Sequence, residues 1–405
     1  MLQDDRTALK ETMIAVEVFG RPASTFDPRT DTIVRVEARR LRARLSDYYR
    51  TDGRQAPIRI ELPVGSYVPL IATREPEEAY DSTTRHARDL VERGEHYLRQ
   101  PLSRQTLELA IERFDLALRE SPRNAAALAG LGRAWHNLAC AWYVAPAVGA
   151  EHAGEALRAA LAIDPDQPVA HALMGAVQHQ FEHDWASADR SFRRAVDLAP
   201  QQAFVHSAYG CHLYMHGALA ASERALMLAR RLDPQYVNAR THMVNLRIAQ
   251  RRYADAQAEL AALADLAPGN MAVEGLRGAI ATYRGDARSA VEHYRRACAA
   301  MPDHAACHIA LAGACAMAGD AAEADALHDA TLQRHDAELL PTYTLAIYQA
   351  RRGRHDAALD LLERAVRERD PYAVQIPLEP AFDALHGNDR WHAILDLLVR
   401  PKRPG

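Results

Sequence analysis

Lysine is almost absent from this 405-residue chain, which contains only Lys10 and Lys402 among its 49 basic residues. Arginine in place of lysine suits phosphate recognition, because its planar fork binds an oxyanion with two hydrogen bonds. The codon bias of a GC-rich genome produces the same replacement, so the scarcity of lysine assigns no function by itself. The net charge of −4 excludes the chain as a whole from being a polycationic partner of nucleic acid.

Cysteines are few: there are five, and no two of them form a Cys-x-x-Cys pair. This pattern is typical of reduced thiols in a cytoplasmic protein rather than of a disulfide framework. No apolar run approaches the roughly 20 residues that a membrane span needs, and the first residues lack the pattern of a signal peptide. We therefore expect a cytoplasmic protein with no membrane partner.

Catalytic and cofactor motifs are also missing. The chain has no Walker loop, Gly-x-Gly-x-x-Gly, Gly-x-Ser-x-Gly or His-Glu-x-x-His motif. Two histidine groups have spacings that suit a metal: His179 with His183, and His304 with Cys307 and His308. The first lacks an acidic or thiol partner and the second lacks a fourth ligand, so we interpret both as structural. We expect no enzyme, no cofactor and no metal.

Positive charge is concentrated in residues 33–54, which carry seven arginines against three acids. Residues 33–49 predict an amphipathic helix, capped by Asp31. Its apolar stripe consists of Val34, Ala38, Leu41, Leu45 and Tyr48, at steps of four and three. Five arginines flank this stripe: Arg35, Arg39, Arg40, Arg42 and Arg44. A helix of this kind can enter the major groove of DNA, although an amphipathic helix with solvated arginines has the same pattern.

A β-hairpin is predicted after this helix. Ile58, Ile60 and Leu62 alternate with charged residues, the period of a strand with one buried face. Residues 63–66 can turn the chain, and residues 67–71 can return beside the first strand. With a shorter helix predicted over residues 7–19, residues 1–73 form a small α/β module, followed by a linker at 74–84.

This order of elements resembles the carboxy-terminal half of the winged-helix domains of bacterial response regulators. The residues that carry the resemblance are Val34, Val36, Arg40-Leu41-Arg42, Arg44-Leu45, Gly65 and Tyr67. The resemblance implies that residues 31–71 bind duplex DNA, with the five arginines facing the DNA and with Leu41 and Leu45 in the core. Ser66, which separates Gly65 from Tyr67, and Glu37, which would repel a phosphate, depart from the family pattern.

A winged-helix fold needs three helices, and only two fit before the hairpin. We therefore expect the natural protein to begin upstream of Met1 and to include the missing helix. The alternative is a degenerate module whose apolar stripe packs on the first unit of the repeat described below.

Prolines recur at intervals of 34 or 35 residues over much of the chain, at Pro165, Pro200, Pro234, Pro268 and Pro302. A small residue often stands five positions before the proline, as at Ala117, Ala160, Ala195, Ala229 and Ala297. A large residue stands eight positions before it, as at Phe114, Leu157, Phe192, Leu226, Leu260 and Tyr294. Each proline ends an amphipathic stretch, because it cannot continue a helix.

This pattern resembles the tetratricopeptide repeat (TPR), a 34-residue helix–turn–helix unit that stacks into a superhelix. The resemblance implies a mainly α fold, a TPR α-solenoid of about eight units over residues 85–371. Residues 372–400 are similar to the ends of certain bacterial signalling proteins with such repeats, and we expect them to form a cap. The apolar residues of this cap are Phe382, Leu385, Trp391, Ile394 and Leu398.

A peptide groove is expected on the side that the first helix of each unit lines. Its candidate residues are His206, Tyr214, Asn238, Thr241 and Asn245. Asparagines on such a wall can bind a peptide backbone or a terminal carboxylate. The alternative is a polar surface without a ligand.

Two functions are compatible with this organisation. The first is a bacterial cytoplasmic transcriptional or signalling regulator with a DNA-binding winged-helix-like head and a TPR array that binds a protein. The second is a TPR scaffold that does not bind DNA, related to TPR-containing kinase or adenylate-cyclase-type signalling proteins but without their catalytic domain.

Overall fold

The computed structural model describes residues 10–51, 53, 56, 58–64, 66–73, 82–100, 103–267, 270 and 272–399. The chain divides into two compact units, one ending at Ser82 and one beginning at Thr83. Gly65 of the expected wing, Pro268 and residues 74–81 of the expected linker lie outside the described residues. No helix in the described residues is long and apolar enough to cross a membrane.

The described part of the amino-terminal unit contains two helices and one hairpin. Its described elements are α1 (Glu11–Glu17), α2 (Ile33–Arg50), β1 (Ile58–Glu61) and β2 (Leu70–Thr73). The strands are antiparallel, with Ile60 opposite Ile71. Thr32 is the N-cap of α2, while the carboxylate of Asp31 accepts a hydrogen bond from the amide of Ile33 at 3.0 Å. The order helix, arginine-rich helix and hairpin is therefore present.

The apolar stripe of α2 is buried only at its start, which corrects the expectation for this helix. Val34 and Ala38 are buried, whereas Leu41 is 48% exposed and Tyr48 is 46% exposed. The seven residues of α1 are too short to cover all of an 18-residue helix. Ile58 and Ile60 of β1 are exposed too, so the predicted buried face of the strand is not found. The winged-helix assignment gains no support from this core.

The second unit is a helical repeat of eight antiparallel helix pairs within the described residues. The first four pairs are α3 (Ser82–Arg99) with α4 (Arg104–Glu120), α5 (Ala125–Cys140) with α6 (Pro146–Ile163), α7 (Pro168–Gln180) with α8 (Trp185–Leu198), and α9 (Ala203–Met215) with α10 (Leu219–Leu232). The other four are α11 (Val237–Ala249) with α12 (Tyr253–Leu266), α13 (Ala272–Tyr283) with α14 (Ala287–Ala300), α15 (Ala305–Met317) with α16 (Ala321–Arg334), and α17 (Thr342–Arg351) with α18 (His355–Glu368). The predicted mainly α, TPR-like fold is confirmed.

In several pairs a large residue of the second helix packs against a glycine of the first. Leu226 of α10 is fully buried against α9 at Gly210, where an added Cβ would lie 2.7 Å from the leucine side chain. Phe192 of α8 meets Gly175 of α7 in the same way, at 2.9 Å. The glycines are needed because the backbone of one helix approaches the side chain of the other this closely.

The chain after α18 leaves the repeat pattern. Arg369 takes a left-handed conformation and ends α18. Two 3₁₀ segments, Ala373–Leu378 and Pro380–Leu385, then precede α19 (Asp389–Val399). The five apolar tail residues, Phe382, Leu385, Trp391, Ile394 and Leu398, are buried in one cluster with side chains of α17 and α18.

Candidate peptide-binding surface

The five candidate groove residues differ in their surroundings. Asn238 is exposed, and the Thr241 hydroxyl donates to the carbonyl of Val237 one turn earlier in α11, at 3.2 Å. Tyr214 is buried. Burial raises the pKa of Tyr214 well above its ordinary value, and a hydrogen bond with Asn245 opposes this rise. Asn238, Thr241 and Asn245 thus follow one another along α11, and Asn245 lies beside Tyr214 of α9.

His206 belongs to a contact that recurs in three repeats. Its Nε2 donates to the carbonyl of Pro200 at 2.8 Å, six residues earlier. His171 does the same with Pro165, and His308 with Pro302, at 2.8 and 2.9 Å. These imidazoles close the turn that leads into the first helix of a pair. His206 is therefore bonded within its own repeat rather than left open for a peptide.

Polar side chains join successive first helices. His136 of α5 donates to Gln180 of α7 at 2.8 Å, and Nδ1 of His179 lies 3.0 Å from Nδ1 of His212 in α9. Burial lowers the pKa of all three histidines, and of His212 to about 4. His183, which the sequence grouped with His179, lies beyond the end of α7. In the part of the chain that is described, no group of three His, Cys, Asp or Glu residues could hold a metal ion.

Residues 370–383, which we name the tail segment, cross the side of the array formed by first helices. We name this side the first-helix surface; it comprises α5, α7, α9, α11 and α13. Tyr372 stacks on Trp142, immediately after α5, with ring centroids 5.3 Å apart. Val374 is fully buried in a cluster with side chains from three helices, among them Tyr214, Met243 and Leu246. The first-helix surface therefore already carries a stretch of the same chain that is not α-helical.

Two carboxylates of the tail segment meet donors of the array. The Tyr283 hydroxyl, at the end of α13, donates to Oε2 of Glu379 at 2.6 Å. The Arg351 guanidinium lies 3.8 Å from Oε1 of Glu379 and stacks over the Tyr283 ring at 5.4 Å. Glu379 is only 7% exposed. Asp383 receives two hydrogen bonds from Arg251, at 2.7 and 2.8 Å.

Asp370, at the start of the tail segment, is a buried carboxylate with no cation bonded to it in the described residues. It is 2% exposed and accepts hydrogen bonds from the backbone amides of Tyr343 and Tyr372, both at 2.9 Å. Burial raises its pKa to about 7, against the lowering effect of the two amide bonds. The Asp370 carboxylate is therefore held by two neutral backbone amides. Within the described residues, no ion pair offsets the free-energy cost of burying its charge.

The amino-terminal unit, which we name the head, holds the five arginines predicted to face DNA. Three of them form hydrogen bonds or ion pairs with other residues of the head. Arg35 binds the carboxylate of Glu11 at 2.9 Å, and Arg40 binds Glu37. Arg42 donates to the carbonyls of the hairpin turn, at Leu62, Pro63 and Ser66, over 2.8 to 3.0 Å. The remaining two, Arg39 and Arg44, are exposed. The arginines therefore do not form one free cationic surface.

The sequence did not predict the residues that meet the tail segment. Trp142, Arg251, Tyr283 and Arg351 lie far from residues 370–383 in sequence, and none belongs to a recognisable motif. All four stand where a first helix ends or just beyond it, and Trp142 and Arg251 are both in the left-handed backbone region. A non-glycine residue in that region is uncommon; it can be recognised in a structure but not in a sequence.

No protein-family model matches this chain, and no curated protein matches it. Among solved structures it is similar to PilF of Pseudomonas aeruginosa, with 19% identity over 55% of this chain and 95% of that one, at a TM-score of 0.37. It is similar to TTC0263, a TPR protein of Thermus thermophilus, with 19% identity over 49% and 98% of the two chains, at a TM-score of 0.40. Yeast Tom70 matches 93% of this chain and 79% of its own, with 14% identity and a TM-score of 0.45. These likenesses concern the fold alone.

Proposed function

We propose that this protein is a non-catalytic interaction scaffold whose helical repeat binds a peptide segment of a partner protein on the first-helix surface. The observation that carries the proposal is the tail segment. It lies on this surface in a 3₁₀ and extended conformation, with an aliphatic side chain in a pocket and carboxylates on tyrosine and arginine donors. A partner peptide needs the same kinds of contact.

The cytoplasm is the compartment that suits this proposal. All five cysteines are thiols, and burial raises the pKa of Cys140 and of Cys211. The Cys298 thiol donates a hydrogen bond to the sulfur of Cys307 at 3.0 Å, and both are free cysteines. Reduced, inert thiols of this kind are typical of an intracellular protein.

Duplex DNA is the weaker candidate partner. Binding through the head needs several guanidinium groups that can turn towards phosphates. Arg35, Arg40 and Arg42 each have a partner within the head, which leaves Arg39 and Arg44. The regulator hypothesis therefore rests on its sequence resemblance, and the scaffold hypothesis is preferred.

A selection from a display library of random dodecapeptides on the full-length protein tests the proposal. Selected peptides are measured by fluorescence anisotropy against the wild-type protein, Asn238→Ala/Asn245→Ala, and the control Glu151→Ala/Glu155→Ala. The control positions are exposed on α6, the second helix of its pair. We expect saturable binding that weakens at least tenfold in the first variant only. Failure to select any peptide, or equal binding to all three proteins, would show that the surface is not a peptide site.

A further inference from the structure

The contacts that the tail segment makes on the first-helix surface indicate which chemical groups a ligand of this surface needs. The pocket around Val374 is apolar, since Tyr214, Met243 and Leu246 line it. The positions that meet Glu379 and Asp383 are donors: one hydroxyl and two guanidinium groups. An aliphatic side chain followed by two carboxylates, five and nine residues later, satisfies all of these groups.

We propose that the tail segment is a tethered competitor for the first-helix surface, and that the external partner is an acidic peptide with the same spacing of one aliphatic and two acidic residues. This inference rests on the proposed function and names both its ligand and its regulation. The partner binds by exchange: it occupies the Val374 pocket and the donors only when the tail segment leaves them.

The tail segment is bound well enough to occupy the surface, but its polar contacts are not optimal. Arg351 lies 3.8 Å from Glu379, beyond a hydrogen bond. The Arg251–Asp383 pair is about half exposed on both sides, and exposed pairs contribute little. Asp370 is buried without a cation, which makes its seating at neutral pH costly. A peptide that omits the Asp370 carboxylate avoids this last cost.

Anchors on both sides allow the tail segment to leave and return. Before it, α18 packs on α17; after it, Leu385, Trp391 and Ile394 lie in the cluster on the last pair, which the buried tail residues Ala373, Ile376 and Phe382 leave when the segment opens. Because both ends are attached, the tail segment competes at an effective concentration that is typically in the millimolar range. An external peptide therefore binds the wild-type protein with an affinity reduced by the fraction of time that the surface is open.

Loosening the tail segment without altering the surface tests this inference. The variant Val374→Ala/Asp383→Ala changes two tail residues and leaves all array residues in place. Asp396→Ala is the matched control, an exposed acid of α19 for which the described residues give no ion pair. The probe is a fluorescein-labelled synthetic peptide with the sequence of residues 370–386.

We expect the double variant to bind this probe at least tenfold more tightly than either the wild type or Asp396→Ala. Adding Arg251→Ala to the double variant, or placing the two alanines in the probe, weakens binding again. A difference below tenfold between the double variant and the control overturns the proposal and makes the tail segment a permanent part of the fold.

Hydrogen exchange of the wild-type protein decides the question if the double variant fails to fold. Amides of residues 372–376 that exchange faster than those of α17 and α18 support a segment that opens on its own. If the amides of residues 372–376 exchange at the same rate as those of α17 and α18, the proposal that the tail segment opens on its own is wrong. Display-selected peptides that bind the double variant and the wild type equally would rule out the role of the tail segment as a competitor. The proposed scaffold function would still stand, because the peptides bind both proteins.

Discussion

Arg251 donates two hydrogen bonds to Asp383, a residue 132 positions later in the chain, at 2.7 and 2.8 Å. The pair joins the loop between α11 and α12 to the end of the tail segment. Both side chains are about half exposed, so the pair fixes position more than it adds stability. Stability of the tail segment must therefore come from its buried members, among them Ala373, Val374, Ile376, Glu379 and Phe382.

Tyr283→Phe removes the hydroxyl that donates to buried Glu379 and leaves that carboxylate with fewer partners. We expect the free energy of opening the tail segment to fall by about 2 kcal/mol, the typical cost of an unpaired buried acceptor. Hydrogen exchange of the amides of residues 372–376 measures it. Tyr236→Phe is the control, since that hydroxyl has only a 3.5 Å contact with Asn238. An equal effect of both changes would contradict the role of Tyr283.

Leu226→Ala and Gly210→Ala disturb one contact from its two sides. The first leaves a cavity and should lower the free energy of unfolding by about 2–5 kcal/mol. The second forces a methyl group against Leu226 and should cost about 1–3 kcal/mol. In the double variant the new methyl group fills part of the cavity, so we expect a total at least about 1 kcal/mol below the sum. Urea unfolding followed by circular dichroism gives all three values.

Gly275→Ala is the control for that series. It lies in α13, and an added Cβ would meet nothing within 4 Å. Alanine is favoured over glycine inside a helix, so this variant should be neutral or up to about 1 kcal/mol more stable. A loss as large as that of Gly210→Ala would mean that helix propensity, not close packing, explains the effect.

The repeat could be predicted because its period appears as fixed spacings between residues that are near one another in sequence. Pro200, Ala195 and Phe192 stand at fixed offsets, and each offset corresponds to one turn or one contact between neighbouring helices. The tail segment could not be predicted in the same way. Its contacts with Trp142 and Tyr283 join residues that are distant in sequence, and no periodicity relates such positions.

In the head, the sequence predicted the secondary structure but not which residues are buried or paired. The periodicity of α2 correctly indicated a helix, and alternation located the first strand of the hairpin. The second strand begins at Leu70, three residues later than predicted. Periodicity cannot say what covers an apolar stripe, and Leu41 is exposed because the short α1 does not reach it. Likewise, seven arginines in one segment give a net charge, but their partners depend on which carbonyls and carboxylates the fold brings near.

Arg42→Ala should destabilise the hairpin rather than act only on a ligand. Its guanidinium donates to three carbonyls of the turn, and losing these charge-assisted bonds in a half-buried site should cost about 2 kcal/mol. Arg39→Ala is the matched control, because the described residues give exposed Arg39 no hydrogen bond or ion pair. Hydrogen exchange of residues 58–61 measures both. A salt titration with duplex DNA on the same proteins tests the regulator hypothesis, which needs Arg39→Ala to weaken binding.

The buried histidine His212 should make the array sensitive to acid. Its pKa is lowered by burial to about 4 in the folded protein, while an unfolded histidine titrates near 6.5. Its contribution is therefore fully present above pH 6.5 and is lost as the pH falls towards 4, because the unfolded chain binds the proton first. Over that window one such group adds a slope of about 1.4 kcal/mol per pH unit to the free energy of unfolding. His212→Gln should flatten the slope by about this amount when urea unfolding is measured between pH 6.5 and 4.5. An unchanged slope, with a stability difference only at pH 8, would assign His212 a packing role alone.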